Sequence, residues 1–247
     1  MPATTLRVSL LSMTPDALSL IYAAFRQCYH AGSVADMWPR LLSGEIDKGK
    51  QAEFVSRILD SGHESPIEHV SFTFAVSGVS RALTHQLVRH RISSYSQQSQ
   101  RYVKAGEEFG YILPKSIEES GMGADYIIHM AKVARFYARL TDAGIPPEDA
   151  RFVLPNACET RIVVTMNCRS LLHFFEQRCC QRAQWEIRAL ANTMLGICRE
   201  KLPVVFETAG AACERDGFCR EEKSCGRKTR LKDLMEKYAD VEAEGEK

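Results

Sequence analysis

The chain has 247 residues, 45% hydrophobic and 26% charged, with a formal net charge of +1. That length can bury a core without staples, and near-neutrality excludes a bulk basic footprint for nucleic acid or an anionic membrane. Nor does any apolar run approach the ~20 residues needed to span a bilayer. MPATTLRVSLLSM does not read as a signal peptide. Nine unevenly placed cysteines are not the dense, even framework of a small secreted protein, so a soluble protein of the reducing cytoplasm is expected.

In chain order, Leu6 to Met13 alternates as a strand does. Thr14 then offers an N-cap and Pro15 a first helical position, predicting a helix to about Tyr29. A second helix is expected over Lys48 to Leu59. The clearest strand follows, with His69, Ser71, Thr73 and Ala75 on one face and Val70, Phe72, Phe74 and Val76 on the other. Ser80 can cap a helix holding Leu83 and Leu87, which runs into RHRISSYSQQSQRY. Further helices are predicted over Ala124 to Leu140 and Glu148 to Val153. Arg161 to Asn167, β-branched and alternating, predicts a strand. Helices over Ser170 to Cys180, Ala183 to Lys201 and Leu231 to Tyr238 complete the reading, and the Glu-rich end through AEGEK reads as solvated. The simplest partition is one α+β domain over residues 1–208, with a charged, Cys-bearing extension over 209–247.

The segment from Arg89 to Tyr102 carries the most chemistry. Placed on the preceding helix, Gln86, Arg89 and His90 would share a surface patch. Guanidinium forks bind phosphate and carboxylate bidentately, and nearby hydroxyls and amides add directional bonds, so a nucleotide or dinucleotide site fits. The plainer alternative is a solvated helix end whose arginines complement the macrodipole. No GxGxxG joins a strand to a helix, so a Rossmann-type cofactor site is not expected.

RHR at 89–91, seven further residues and then Ser99 resembles the signature of the flavin-dependent thymidylate synthases. The common form of that signature has Asn where this chain has Ser96. GHESPIEHVSFTF (62–74), RFVLP (151–155) and MNCRSLLHFFEQRCCQRAQWEI (166–187) are similar to further segments of that family, in the same order. The resemblance spans about Leu6 to Phe206. It implies a mixed helix and antiparallel-sheet domain with flanking helices, FAD bound between subunits, and a homotetramer with shared sites. It also implies reductive methylation of dUMP to dTMP, with 5,10-methylenetetrahydrofolate giving the carbon and NADPH the reducing power. By the same resemblance, His69, Arg89, His90, Arg91, Gln97, Asn167, Arg169, His173 and Arg182 are cofactor-binding candidates. Gln86, Gln97, Gln98, Ser99, Arg101, Arg151 and Arg178 are the dUMP candidates. Arg178, Ser99 and His69 stand nearest the chemistry, with Ser99 a substrate-binding hydroxyl and not a nucleophile. For Arg151 the bland alternative is a surface ion pair with Glu148. Two other readings of the segment are a nicotinamide-dependent flavin oxidase or reductase and a nucleic-acid-binding module.

Cys213, Cys219 and Cys225 are each six apart. With Cys179 or Cys180 they could supply thiolates to zinc, but the spacing departs from a C-x2-4-C knuckle. Free thiols are the plainer expectation, and no metal is assigned.

Overall fold

The computed structural model describes residues 3–105 and 109–245. In chain order the elements are β1 (Arg7–Met13), α1 (Ala17–Tyr29), α2 (Val34–Leu42), α3 (Lys48–Asp60), a 3-10 turn (Ser65–His69), β2 (Ser71–Ser80), α4 (Arg81–Leu87) and β3 (Ser94–Gln97). These are followed by α5 (Lys115–Glu119), α6 (Gly123–Asp142), α7 (Pro147–Ala150), a 3-10 turn (Arg151–Val153), β4 (Glu159–Asn167), α8 (Cys168–Arg178) and α9 (Trp185–Lys201). Last come α10 (Pro203–Phe206), α11 (Ala212–Asp216) and α12 (Leu231–Gly245). The fold class is α+β, as expected. The chain divides into two compact units, Met1–Met13 with Phe72–Met166 and Thr14–Ser71 with Asn167–Lys247.

The first unit holds a four-stranded sheet in the order β1-β2-β4-β3. Both edge pairings are antiparallel, Arg7 facing Ser77 and Ser94 facing Thr165. The inner strands obey period two. Phe72, Phe74 and Val76 on β2 are buried, as are Ile162, Val164 and Met166 on β4. The intervening residues form a half-buried polar face, where the Thr73 and Thr165 hydroxyls meet at 2.9 Å. On β1 the register slips between Leu10 and Ser12, leaving Leu11 as an exposed bulge at the edge. A second cluster forms where α6 contributes Met130 and Ala134 to Phe109, Tyr111 and Cys158.

In the second unit α1 and α3 are joined through polar groups as well as packing. Ser19 Oγ donates to Gln51 Oε1 at 2.8 Å, both residues fully buried, and Gln51 Nε2 donates to Ile46 O at 2.7 Å. Such satisfied buried groups specify register where apolar contact alone would slide. Elsewhere Leu171, Phe174 and Phe175 of α8, Ile187, Leu190 and Met194 of α9 and Phe206 of α10 are all buried. The Phe175 and Phe206 rings meet edge-on at 6.0 Å.

Four expectations need correction. Helix α1 starts at Ala17, not after a Thr14 cap, and Asp16 ahead of it lies in the left-handed region at φ 49°. The Thr14 hydroxyl is engaged elsewhere, accepting from the Ser71 N–H at 3.0 Å. Strand β2 starts at Ser71, so His69 ends the 3-10 turn before it and is not on the strand face. Neither α2 nor β3 was expected. Pro39 inside α2 reads as a breaker, yet in so short a helix it removes few bonds, and the Ser33 hydroxyl caps the start by accepting from Ala35 N–H at 3.1 Å. Helix α12 runs to Gly245, past the predicted end at Tyr238; Glu246 and Lys247 lie outside the described residues.

Gly78 on β2 has φ +68°, and a Cβ there would stand 1.8 Å from the Thr5 carbonyl oxygen. Gly78→Ala is therefore expected to cost about 3 kcal/mol, combining the left-handed backbone with overpacking. Equilibrium urea unfolding measures it, and an unchanged midpoint would show that the Thr5 backbone gives way freely.

Candidate active site

The predicted site residues fall into two groups, one in each unit. In the first unit, the Ser80 hydroxyl caps α4 by accepting from Leu83 N–H at 2.9 Å. The helix ends at Leu87, and two tightened turns carry the chain out, Arg89 N–H to Gln86 O at 3.2 Å and His90 N–H to Leu87 O at 3.1 Å. Arg89 and His90 therefore do not share a helical face with Gln86, as the helical reading required; they stand on the turn beyond it. Arg89 and Arg91 are exposed.

Tyr95 fixes that turn, and sequence reasoning gave it no role. Its hydroxyl lies 2.9 Å from Leu87 O and 2.8 Å from His90 O. Burial raises the Tyr95 pKa, which keeps the phenol protonated and able to donate. The pairing of β3 with β4 holds Tyr95 in place, so an unpredicted edge strand positions the RHR segment. Gln97 is committed within the same framework, its Nε2 donating to Thr84 Oγ1 at 3.0 Å and to Thr160 Oγ1 at 3.1 Å. Gln98 continues the ladder through its N–H to Arg161 O at 2.9 Å and lines a shallow cleft with Arg7, Ser96 and Arg161.

Arg101 and Arg151 both engage Glu148, and the Ser99 hydroxyl lies beside Arg101. The Ser99 hydroxyl accepts from Arg101 N–H at 3.1 Å. Arg101 Nε lies 2.5 Å from Glu148 Oε2, and Arg151 Nε donates to the Glu148 backbone carbonyl at 3.0 Å. Glu148 does accompany Arg151, but through its main chain, while its carboxylate takes Arg101. Arg81, the first residue of α4, lies close enough to Arg151 for their charges to interact. Burial lowers its pKa, and the neighbouring Arg151 pushes the same way, although a guanidinium remains charged. No motif marked Arg81; only the approach of α4 to the Arg151 turn within this unit reveals it.

In the second unit, the Asn167 Oδ1 caps α8 by accepting from Ser170 N–H at 2.8 Å. Arg169, at the second helical position, pairs with Glu68 at 2.5 Å and Glu64 at 3.6 Å. The bond to Glu68 is the largest cause of its raised pKa. Glu64 and Glu68 belong to the GHESPIEH segment, in which only His69 was singled out. His69 is exposed beside an apolar cavity of about 680 Å³ bordered by Leu20, Ala24, Val34 and Trp38. His173 Nε2 meets Gln177 Nε2 at 2.9 Å on α8, as the i, i+4 spacing predicted. Arg178 closes α8, whereas Arg182 lies in the turn after it, so these two do not share one helix row. Both line a cavity of about 450 Å³ with His173. Arg182 is held by Glu221 at 2.6 Å.

A family model described as thymidylate synthase complementing protein matches residues 9–204. A flavin-dependent thymidylate synthase of Nitratidesulfovibrio vulgaris is 61% identical, across 92% of this chain and 97% of its own. Its counterpart in Geobacter sulfurreducens is 44% identical, across 93% and 98%. Among solved structures, a UMP/dUMP methylase PolB from Streptomyces cacaoi, bound with 5-Br dUMP, superposes with a TM-score of 0.70 at 25% identity. That match covers 83% of this chain and 94% of the other. On the extent of the sequence matches, with the antiparallel sheet and the arginine-bearing turns in place, the chain belongs to the flavin-dependent thymidylate synthase family.

Proposed function

We propose that this chain methylates dUMP reductively to dTMP, with FAD as cofactor, 5,10-methylenetetrahydrofolate as carbon donor and NADPH as reductant. The observation that carries the reading is that Arg101 and Arg151 both engage Glu148, Arg101 through its carboxylate and Arg151 through its backbone carbonyl, with the Ser99 hydroxyl on the Arg101 N–H. Two guanidinium groups and a hydroxyl on adjoining turns are the donor set a phosphate monoester requires. The Arg101–Glu148 pair is about half exposed, and exposed pairs are worth only about 0–1 kcal/mol. A phosphate dianion can thus replace the carboxylate at small cost.

The residues fit a flavin dinucleotide in their chemistry. Exposed Arg89 and Arg91, with His90 between them, offer groups for its diphosphate, and Arg169, His173, Arg182 and Asn167 provide further donors. His69 offers an imidazole beside an apolar wall. When bound, FAD supplies the hydride chemistry, and the protein supplies binding and orientation. Arg178 stabilises negative charge on the activated uracil ring. Gln86 and Gln98 contribute amide groups to the nucleotide side, and Gln97, its Nε2 held by Thr84 and Thr160, contributes only its carbonyl oxygen. No thiol nucleophile is invoked: burial holds Cys158 protonated, its pKa raised to about 11, and also raises Cys168 and Cys198.

Exposed Ile92, Tyr102 and Phe152 flank the two arginine turns of the first unit, Phe152 at 84% exposure. Apolar groups so placed support burial against other copies, in keeping with a homotetramer whose sites are shared. Catalysis resides in 1–208, with 209–247 an extension. The family match ends at residue 204, which supports this boundary. Among the described residues no helix is long and apolar enough to cross a membrane, and a cytoplasmic enzyme fits the nine free thiols.

Anaerobic turnover with FAD, dUMP, methylenetetrahydrofolate and NADPH tests the reading, with dTMP followed by chromatography. Formation of dTMP that requires both dUMP and the folate is expected; flavin oxidation without dTMP would point to the oxidase or reductase reading instead. Arg101→Ala and Arg151→Ala are each expected to raise the dUMP Kd by about 10- to 100-fold, the loss of a charge-assisted bond; calorimetry giving parental affinity for both would remove the clamp. Tyr95→Phe should lower stability by about 1 kcal/mol and reduce flavin retention through gel filtration. Full retention would show that the RHR turn holds itself.

A further inference from the structure

Within the second unit the C-terminal extension folds back onto the end of α8. Arg215 of α11 pairs with Glu176. Arg182 Nη1 donates to Glu221 Oε2 at 2.6 Å. The Gln181 amide, its oxygen turned toward Arg227, accepts from that guanidinium at 3.1 and 3.3 Å. Three residues of the extension, 215, 221 and 227, thus land on the stretch from 176 to 182. That stretch carries Arg178 and Arg182, which line the 450 Å³ cavity together with Arg220, Glu221 and Arg227. The family model stops at residue 204, short of all three.

Glu221 is held from its own side. Cys219 N–H donates to Thr229 O and Leu231 N–H to Cys219 O, each at 2.8 Å, and Arg230 Nη1 donates to Glu222 O at 3.2 Å. The loop is therefore pinned just before Glu221 and just after it. Arg182 is held from the other side. Arg188 of α9 donates from Nη1 to Gln181 O at 2.5 Å and to Ala183 O at 3.2 Å, the carbonyls that flank Arg182. Exposed ion pairs are weak largely because they must order two long side chains; here both backbones are already fixed. The contact uses one nitrogen of the guanidinium. Among the described residues, Nε and Nη2 of Arg182 have no hydrogen-bond partner, and such an edge is what a phosphate takes bidentately.

We propose that Glu221 is a positioning residue for flavin binding. It holds the Arg182 guanidinium so that the Nε–Nη2 edge is presented to a phosphate group of FAD, and Arg227 steadies the same turn through Gln181. The inference rests on the proposed assignment of Arg182 to the cofactor. Glu221 acts through Arg182 and touches no ligand itself. A guanidinium that is already oriented surrenders little rotamer freedom when the anion arrives, whereas an unanchored one must lose it at that moment. The extension is then a working part of the flavin site, although the reacting groups lie outside it.

A double-mutant cycle on flavin affinity tests this, with FAD titrated into full-length protein stripped of flavin and binding followed by flavin fluorescence. Glu221→Ala is expected to raise the FAD Kd about 3- to 10-fold, the freedom of one long side chain lost on binding. Glu221→Gln, which keeps an acceptor at the same reach, should raise it less. In an Arg182→Ala background, itself weakened, Glu221→Ala should change the Kd by less than about twofold, because nothing is left to position. Equal weakening in both backgrounds would mean that Glu221 acts on the fold at large, and overturns the proposal. So does a parental or tighter Kd for Glu221→Ala alone; the tighter value would make Glu221 a competitor for the guanidinium. An Arg182→Ala protein with parental FAD affinity removes the cofactor assignment of Arg182, and the proposal falls with it. That result is distinct from one in which Arg182→Ala weakens binding and Glu221→Ala does not, where the assignment stands and only the positioning role is lost.

Discussion

The period-two alternation of β2 is the constraint on which the rest of the first unit depends. An inner strand is paired along both edges, so its two faces alone decide what can lie above and below it. Phe72, Phe74 and Val76 must be covered, while Ser71, Thr73 and Ala75 must not be. A slip of one residue would expose three large side chains at once. The same strand ends in Val79 and Ser80, where burial passes into the cap of α4. From that cap the chain reaches the RHR turn, so the address of the cationic residues is set by a strand several residues earlier.

Carboxylates accompany the arginines in both units. Arg101 rests on Glu148, Arg169 on Glu68 and Glu64, and Arg182 on Glu221. This reconciles a formal charge of +1 with a surface rich in arginine. Exposed pairs stabilise the fold little, which suits groups that must exchange partners. They also orient long side chains that would otherwise lose more freedom on binding. In the proposed reaction these glutamates hold cationic groups ready without neutralising them permanently.

The elements that escaped sequence reasoning share a physical cause. Helix α2 carries a proline and is only nine residues long, so its local signal opposes the structure it adopts. Strand β3 has four residues of SYSQ, polar and short, and exists because β4 offers an edge. Tyr95 acquires its role only through that pairing, and Arg81 through the approach of α4 to the Arg151 turn. The displacement of His69 from the strand follows from the 3-10 turn at Pro66, which delays the start of the ladder to Ser71.

Sequence alone determined the α+β class, most strands and long helices, and the family, because alternation, caps and ordered motifs are local properties written in consecutive residues. It also marked Ser99, Arg101 and Arg151 as nucleotide candidates, though it could not bring them together. Tertiary structure decided that Arg101 and Arg151 engage Glu148, that Gln97 spends its amide donors on Thr84 and Thr160, and that Cys179 and Cys180 line one cavity with Cys213, Cys219 and Cys225. Those outcomes depend on where chain segments far apart in sequence come to rest. Packing of the whole chain sets these positions, and no local pattern of residue types encodes them.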